Sequence, residues 1–452
     1  MNKKYSLTNG SILKGFINFA IPLFLGSLFQ QLYGTVDLLF VGNILGKNDA
    51  AAVGSSSILV TCLIGLFTGI SVGAGIVASQ CWGANNRKKL LFTIKNSLMM
   101  GLFGGIILTG IGELFCKQAL HTPEAIMAHA LLYIRIYLLS ILPMILYNMS
   151  AGILRAMGDS RTPFLILAAG GFLNVCMDAL FIGFLHLGVA GAAFATVISQ
   201  AVTALWGISY YLRGKSNLKF RKSSLKLNKN IIKAICAIGS APFAMQIAAS
   251  MIQVLNNQAL STYGGDLSIG AMATISSIAM IFLMPSFGLV QGMQPIVGFN
   301  YGAKNYDRAK KTFIISVLAS TSFFVVGALV IQIAPQVLVG MFNKDAELMN
   351  ITINGLRKYT LALPMIGISI VGTNYIQSTG RAKMAMVLSL LRQVIILIPM
   401  ILILPKFLGL DGVWFAQPTA DAISSILTAI VIFKEFRSYE KTEDKLEEIN
   451  AI

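Results

Sequence analysis

Charged residues make up only 12% of this 452-residue chain, and acids are the rarer sign, 18 against 35 Lys and Arg. A soluble domain carries about twice that share of charge, so a globule surrounded by water is excluded. Histidine occurs three times, and the five cysteines (Cys62, Cys81, Cys116, Cys176, Cys236) are scattered mostly through apolar stretches. Such spacing gives neither a disulfide framework nor a set of metal ligands. The glycines of GLFTGISVGAG at 65–75 follow no strand pattern and lead to no Lys-Ser/Thr pair. They read as close-packing positions in a helix, not as a phosphate loop. No nucleophile–base arrangement is present, so neither an enzyme nor an ATP-driven machine is supported.

Apolar sequence is what the chain has in abundance, at 56% of residues. Runs long enough to cross a bilayer recur from end to end. About twelve candidate spans lie near 14–41, 52–80, 90–113, 124–150, 163–185, 188–212, 231–258, 268–299, 310–334, 347–376, 383–405 and 410–434. Pro22, Pro143, Pro242, Pro285, Pro364 and Pro399 fall inside them, which spans tolerate where neighbours re-satisfy the backbone. The basic N-terminus precedes a run with no cleavage pattern, and that run reads as a retained first span.

The net charge of +17 points to cytoplasmic loops, not to nucleic acid. Every second connection is basic: Arg87, Lys88 and Lys89; Arg155 and Arg161; the eight Lys and Arg of 213–233; Lys304, Arg308, Lys310 and Lys311; Arg381 and Lys383. The connections between them are short and poor in basic residues. Those basic loops and both termini are therefore expected on the cytoplasmic side. Arg357 and Lys358 break the pattern, since they would lie near the outer end of the tenth span.

The two halves repeat. WGANNRKKLLFTIKNSL at 82–98 matches YGAKNYDRAKKTFIISV at 301–317, an offset of 301 − 82 = 219. Gly69 and Gly73 pair with Gly288 and Gly292 at the same offset, and LGVAGAAFA (187–195) resembles LGLDGVWFA (408–416) at 221. The expected fold is an all-α integral membrane protein of about twelve transmembrane helices in two pseudo-symmetric six-helix lobes. The N-lobe covers 1–212, a basic cytoplasmic linker 213–229, the C-lobe 230–436 and a polar tail 437–452. Parallel repeats of this kind place substrate at their interface near the midplane.

Against this apolar background, two acids stand out. Asp178 lies in the fifth span with Asn174 four residues before it, a spacing that sets both on one helix face. Asp37 lies in the first span. A carboxylate at membrane depth costs several kcal/mol and by default marks a functional site, here for a proton or a cation. Asn174 reads equally as a helix-joining amide, and Thr196 by itself as a packing or backbone-bonding residue. Arg392 and Asp421, in spans eleven and twelve, read as a structural ion pair or as polarity along a substrate path.

These residues resemble the multidrug and toxic compound extrusion (MATE) transporters over nearly the whole chain. The signs are Pro22 and Asp37 in span one, Trp82-Gly83-Ala84, ILRAMGDSRTP at 153–163, Asn174-x-x-x-Asp178, GVAGAAFAT ending at Thr196, and QGMQPIVGFNYGA at 291–303. The resemblance is closest to the DinF-like branch. It implies a secondary antiporter that expels cationic and amphipathic drugs or toxins in exchange for H+ or Na+, by rocking two lobes in a bacterial inner membrane, as a monomer and without a cofactor. It implies a coupling site at Asp37, Asn174, Asp178 and Thr196, the same residues that would hold Na+ if that is the coupling ion, with Gln30 nearby. The NorM-like branch has a further acid in span seven. Here that region offers Gln246, and the repeat sets the neutral Asn256 opposite Asp37. Gln246, Gln253, Asn256 and Asn257, with Met280 and Met284, are the candidates for lining the substrate cavity; the methionines read either as ordinary lobe packing or as an adaptable wall for varied ligands. The competing reading is a lipid-linked saccharide flippase, which would need several cationic residues in the cavity where only Arg392 and Arg135 are available.

Overall fold

The computed structural model describes residues 12–45, 47–119, 124–212, 227–342 and 345–450; the side chains of 31–40, 43, 47–48, 50–51, most of 55–67, 119, 125, 212 and 440–450 lie outside the description. Among the described residues every regular element is a helix, as a bilayer demands of a backbone that must satisfy itself. In chain order these are α1 (Ile12–Phe40), the π-helical turn π1 (Val41–Leu45), α2 (Lys47–Gly83), α3 (Arg87–Ala119), α4 (Glu124–Leu138), α5 (Ile141–Ala156), α6 (Arg161–Asp178), π2 (Ala179–Phe184) and α7 (Gly188–Leu212). The second half continues with α8 (Lys229–Gly302), α9 (Tyr306–Ile333), α10 (Pro335–Gly340), α11 (Ala346–Tyr359), α12 (Leu363–Ser378), α13 (Ala382–Leu390), π3 (Leu391–Leu397), α14 (Ile398–Leu408) and α15 (Leu410–Asn450).

Eight described helices are long and apolar enough to cross a membrane, or ten when each of two bent pairs counts as one span. The 74-residue α8 holds two crossings, divided where Gly265 alone leaves helical geometry (φ 69°, ψ −175°). The 37-residue α2 is also long enough to cross, and the twelve spans are complete.

Both bends have a sequence cause. The α4–α5 pair turns by 41° and the α11–α12 pair by 53°. Pro143 and Pro364 sit in repeated LPMI segments just beyond the breaks. A proline cannot donate to the carbonyl four residues back and its ring crowds that group. Those carbonyls belong to Leu139 and Thr360, the first residues beyond α4 and α11.

The repeat is also written in the backbone. Asn85 and Lys304 have positive φ (53° and 59°), as do Gly158 and Gly380 (90° and 83°) and Gly188 and Gly409 (62° and 59°). The first pair is 219 apart, the second 222 and the third 221. Asn86 and Asn305 cap the helices that follow: their Oδ1 atoms accept from Lys89 N at 2.9 Å and Arg308 N at 3.3 Å.

The described chain forms two compact units, one built on Asn18–Phe243 and the other on Ala244 to the end of α15 together with the start of α1. Each is centred on the second helix of its bent pair: eleven of the 16 residues of α5 and ten of the 16 of α12 are buried. Lipid offers no hydrophobic drive between helices, so small residues and hydrogen bonds must hold them. The two units solve this differently at related positions. In the first, a Cβ at Gly75 would meet the Gly152 carbonyl oxygen at 3.2 Å. In the second, Gln294 stands at the Gly75 position and donates to Asn374 Oδ1 at 2.8 Å and Gln377 Oε1 at 3.2 Å. The first turns of α8 pack within the first unit, where a Cβ at Gly69 would lie 2.4 Å from the Gly239 carbonyl oxygen.

Arg357 and Lys358, which break the loop-charge pattern, are both engaged locally. Arg357 Nη2 donates to the Gln332 carbonyl at 3.2 Å, and Lys358 Nζ lies 2.5 Å from Asp411 Oδ1.

Candidate functional site

The buried face of α6 is a single stripe: Pro163, Ile166, Gly170, Asn174 and Asp178. Three or four residues separate each from the next, so the stripe runs straight along the helix. It places the two polar residues expected from the sequence on the inner side, Asn174 at 2% exposure and Asp178 at 0%. The facing helix α7 presents its own polar stripe, Thr196, Ser199 and Thr203, at 9%, 4% and 4% exposure.

Close approaches fix the register between the two helices. A Cβ on Gly170 would lie 2.2 Å from Thr203 Cγ2, and one on Gly191 would lie 3.1 Å from Phe181 Cβ. The helices run antiparallel, so each step along α6 is matched by a step back along α7. Asn174 is therefore level with Ser199, and Asp178 level with Phe194 and Ala195, next to Thr196. Asn174 and Asp178 thus share the buried face of α6, and Thr196 lies on the buried face of the helix packed against it.

The hydroxyls of α7 point their hydrogens at their own helix. Thr196 Oγ1 donates to the Ala192 carbonyl at 3.2 Å, Ser199 Oγ to Thr196 at 3.0 Å and Thr203 Oγ1 to Gln200 at 2.8 Å. Their lone pairs remain to accept a hydrogen bond or to face a cation. Among the described residues the Asn174 amide, both oxygen and nitrogen, has no hydrogen-bond partner, a rare and costly state for a buried side chain.

Asp37 lies in α1, and its side chain is outside the described residues. The next turn of the chain is described. Val41, four residues on, shares a buried cluster with Tyr133, Ile182, Val189, Ala192 and Ala193. Ile182 is four residues beyond Asp178. Both acids also precede a π-helical segment: Asp178 is the last residue before π2, and Asp37 is one turn before π1. Such segments are rare and concentrate at functional positions. The third, π3, contains Arg392.

Arg392 pairs with Asp421, Nη1 to Oδ1 at 3.3 Å, with side-chain exposures of 17% and 2%. Gln417 Nε2 donates to both carboxylate oxygens, at 3.1 and 3.0 Å. This is the ion-pair arrangement expected from the sequence. Of the expected cavity residues, Gln30 in α1 and Gln253, Asn257 and Met280 in α8 are exposed; Gln246, Asn256 and Met284 are half-buried. Those of α8 all belong to the second unit. Gln246, Gln253 and Asn257 form a polar stripe beside the exposed apolar residues Ile247, Met251 and Val254.

Sequence reasoning passed over Ser199, Thr203 and Gly170. The signal was present as hydroxyls at positions 196, 199 and 203 of an apolar run, the spacing of one helix face.

Two repeated six-span halves, helical in every regular element among the described residues, with a buried carboxylate and amide inside the first, have the architecture of a polytopic membrane transporter. The MatE family profile matches residues 22–180 and 242–403. The chain belongs to that family, the MATE transporters. The multidrug export protein MepA of Staphylococcus saprophyticus is 25% identical over 440 residues, covering 95% of each chain. MepA of Staphylococcus aureus is 25% identical over 438 residues, again with 95% of each covered. Among solved structures, an outward-facing multidrug resistance MATE transporter of the MOP superfamily superposes with a TM-score of 0.90 at 22% identity, covering 98% of this chain and 99% of that one. A MATE structure in a bent conformation gives 0.91 at 22% identity (96% and 98% covered), and one in a straight conformation 0.90 at 23% (98% and 100%). These confirm the twelve-helix fold.

Proposed function

We propose that the protein is a secondary active multidrug efflux antiporter of the DinF-like branch, which exports cationic, amphipathic compounds in exchange for H+ or Na+. The observation that carries this is the buried carboxylate Asp178 with the buried amide Asn174 one turn before it on the same face of α6, packed against the hydroxyl-bearing helix α7. A carboxylate so placed favours a counter-charge, and the species that can reach it through a protein interior are a proton or a small cation. For Na+, Asn174 and Thr196 supply neutral oxygens beside the acids. The relatives named as multidrug export proteins support the drug substrate. The absence of an acid at Gln246 and Asn256 favours coupling in the first half. Amides at those positions and acids elsewhere suit cationic substrates to be exported across the bacterial cytoplasmic membrane by a monomer.

Coupling requires that ion and drug prefer different states or compete. The proposed cycle has the outward-open protein take up the ion at Asp37 and Asp178. Their neutralisation lets the Pro22-containing α1 repack and expel the drug. The existence of bent and straight structures among the neighbours is in keeping with such a change.

The test is export by purified protein in vesicles under separately imposed H+ and Na+ gradients. Asp37→Asn and Asp178→Asn should each abolish gradient-driven export of a cationic dye while leaving the protein folded. Normal export by Asp37→Asn would remove that residue from the coupling site. Normal export by both would move the site to the second half, with Asp421 next. Export of anionic dyes as fast as cationic ones would overturn the substrate assignment.

A further inference from the structure

A cleft lies under Asn174, between α5, α6 and α7. It is lined by Tyr147, Leu167, Gly170, Gly171, Asn174, Ser199, Gln200 and Thr203, and its volume is ≈ 10 Å³. That is the space of about one water molecule. We propose that the cleft is a binding site for a single water, which joins the Asn174 amide to the hydroxyls of Ser199 and Thr203 and so fixes the face that the amide turns to Asp178. The site stands on geometry alone. Its part in coupling rests on the antiport reading above.

The ligand's chemistry follows from the donors and acceptors on the wall. Asn174 is 2% exposed, and both its Nδ2 and its Oδ1 are without partners among the described residues. A cation would engage only the oxygen and leave the buried NH2 group without a partner. A water accepts from Nδ2 and still donates to two oxygens. Acceptors are at hand, because Ser199 and Thr203 give their own hydrogens to carbonyls of α7 and keep their lone pairs. A buried water normally makes two to four such bonds, and this wall supplies that many. No carboxylate lines the cleft, which again favours a neutral ligand.

The second half of the chain shows what the same place looks like when no water is needed. At the offset of 222 set by Gly158 and Gly380, Gly170 corresponds to Arg392 and Asn174 to Ile396. At the offset of 221 set by Gly188 and Gly409, Ser199 corresponds to Ala420 and Gln200 to Asp421. Ile396 and Ala420 are buried in one apolar cluster, and the Arg392 guanidinium reaches Asp421 beside them. The fold is thus satisfied by an apolar contact and a filled position. The first half instead carries an amide, a hydroxyl and a glycine whose missing side chain leaves room. Water held by outer hydrogen bonds orients the polar groups it touches, and Asn174 is one helical turn from Asp178.

Two measurements test this. The first is a structure of the purified protein at a resolution that shows ordered solvent, from crystals grown with and without rubidium chloride. The expected result is one spherical peak about 2.7–3.2 Å from Asn174 and from Ser199 or Thr203, with no anomalous signal from rubidium. No peak, or an anomalous one, would overturn the proposal, and neither outcome depends on what the protein transports. The second is the Ser199→Ala/Thr203→Val double variant, which removes both hydroxyls at nearly constant shape. Apparent affinity for the coupling ion should fall about three- to tenfold, the equivalent of one hydrogen bond, with the drug KM unchanged, and Thr203→Ser alone should behave as wild type. An ion dependence identical to wild type in the double variant would refute the orienting role.

Discussion

Arg392 Nη1 stands 3.3 Å from Asp421 Oδ1, with both side chains withdrawn from the surroundings. Removing one member of a buried pair strands the other charge, at a cost of about 3–5 kcal/mol, while replacing both with apolar groups is often harmless. Arg392→Met is therefore expected to lower the thermal unfolding temperature of the detergent-purified protein steeply. Arg392→Met/Asp421→Leu should recover most of the loss and retain gradient-driven export. Equal losses in the single and double variants would mean that the two residues do not act as a pair.

Glycines that look alike in sequence should respond in opposite ways. A Cβ at Gly69 meets a backbone oxygen at 2.4 Å, whereas nothing lies within 4 Å of one at Gly104. Gly69→Val should cost about 1–3 kcal/mol through overpacking. Gly104→Ala should be neutral or stabilising by about 0.5–1 kcal/mol, since alanine is the better helix former. Unfolding monitored by tryptophan fluorescence separates the two.

The helix-ending positions give a third comparison. Lys304 holds a positive φ of 59° that only glycine adopts freely, and Gly380 holds 83°. Lys304→Gly should leave stability unchanged or raise it by up to about 1 kcal/mol, while Gly380→Ala should lower it by about 1–2 kcal/mol. The neighbouring cap Asn305→Ala should cost about 1 kcal/mol. The same unfolding assay measures all three.

Sidedness follows from loop charge. Cysteines placed at Lys304 and Glu347 in a Cys-free background should label from opposite faces of the membrane, Lys304→Cys from inside. Labelling of both by an impermeant reagent from one face would overturn the orientation.

Much of this architecture is legible without coordinates because a bilayer leaves few choices. Apolar run length finds the spans, and the repeat in 82–98 and 301–317 divides them into halves. The 174–178 spacing gives a buried face because a helix has no other way to arrange it. Arg392 and Asp421 invite pairing since neither can be left alone at that depth. Other features leave weaker traces. Pro143 and Pro364 are visible within spans, but their effect falls one turn earlier, at Leu139 and Thr360. The seventh and eighth spans, read as separate runs, join in one long helical element that yields only at Gly265. Ser199 and Thr203 bond to their own helix, as serine and threonine do in any span, so nothing in their type distinguishes a cleft wall from ordinary packing. Their significance appears only once Gly170 is seen against Thr203.

The three π-helical turns bear on how such a chain changes over evolutionary time. Elsewhere in a span, inserting or deleting one residue turns everything beyond it by about 100°, moving a polar stripe to the wrong side. A π turn already holds one residue beyond the α count, so a deletion within Leu391–Leu397 or Ala179–Phe184 can be absorbed by tightening that turn. The residues on either side then keep their faces. The turns act as expansion joints, and shortened versions of the chain should be tolerated there and hardly anywhere else in the spans.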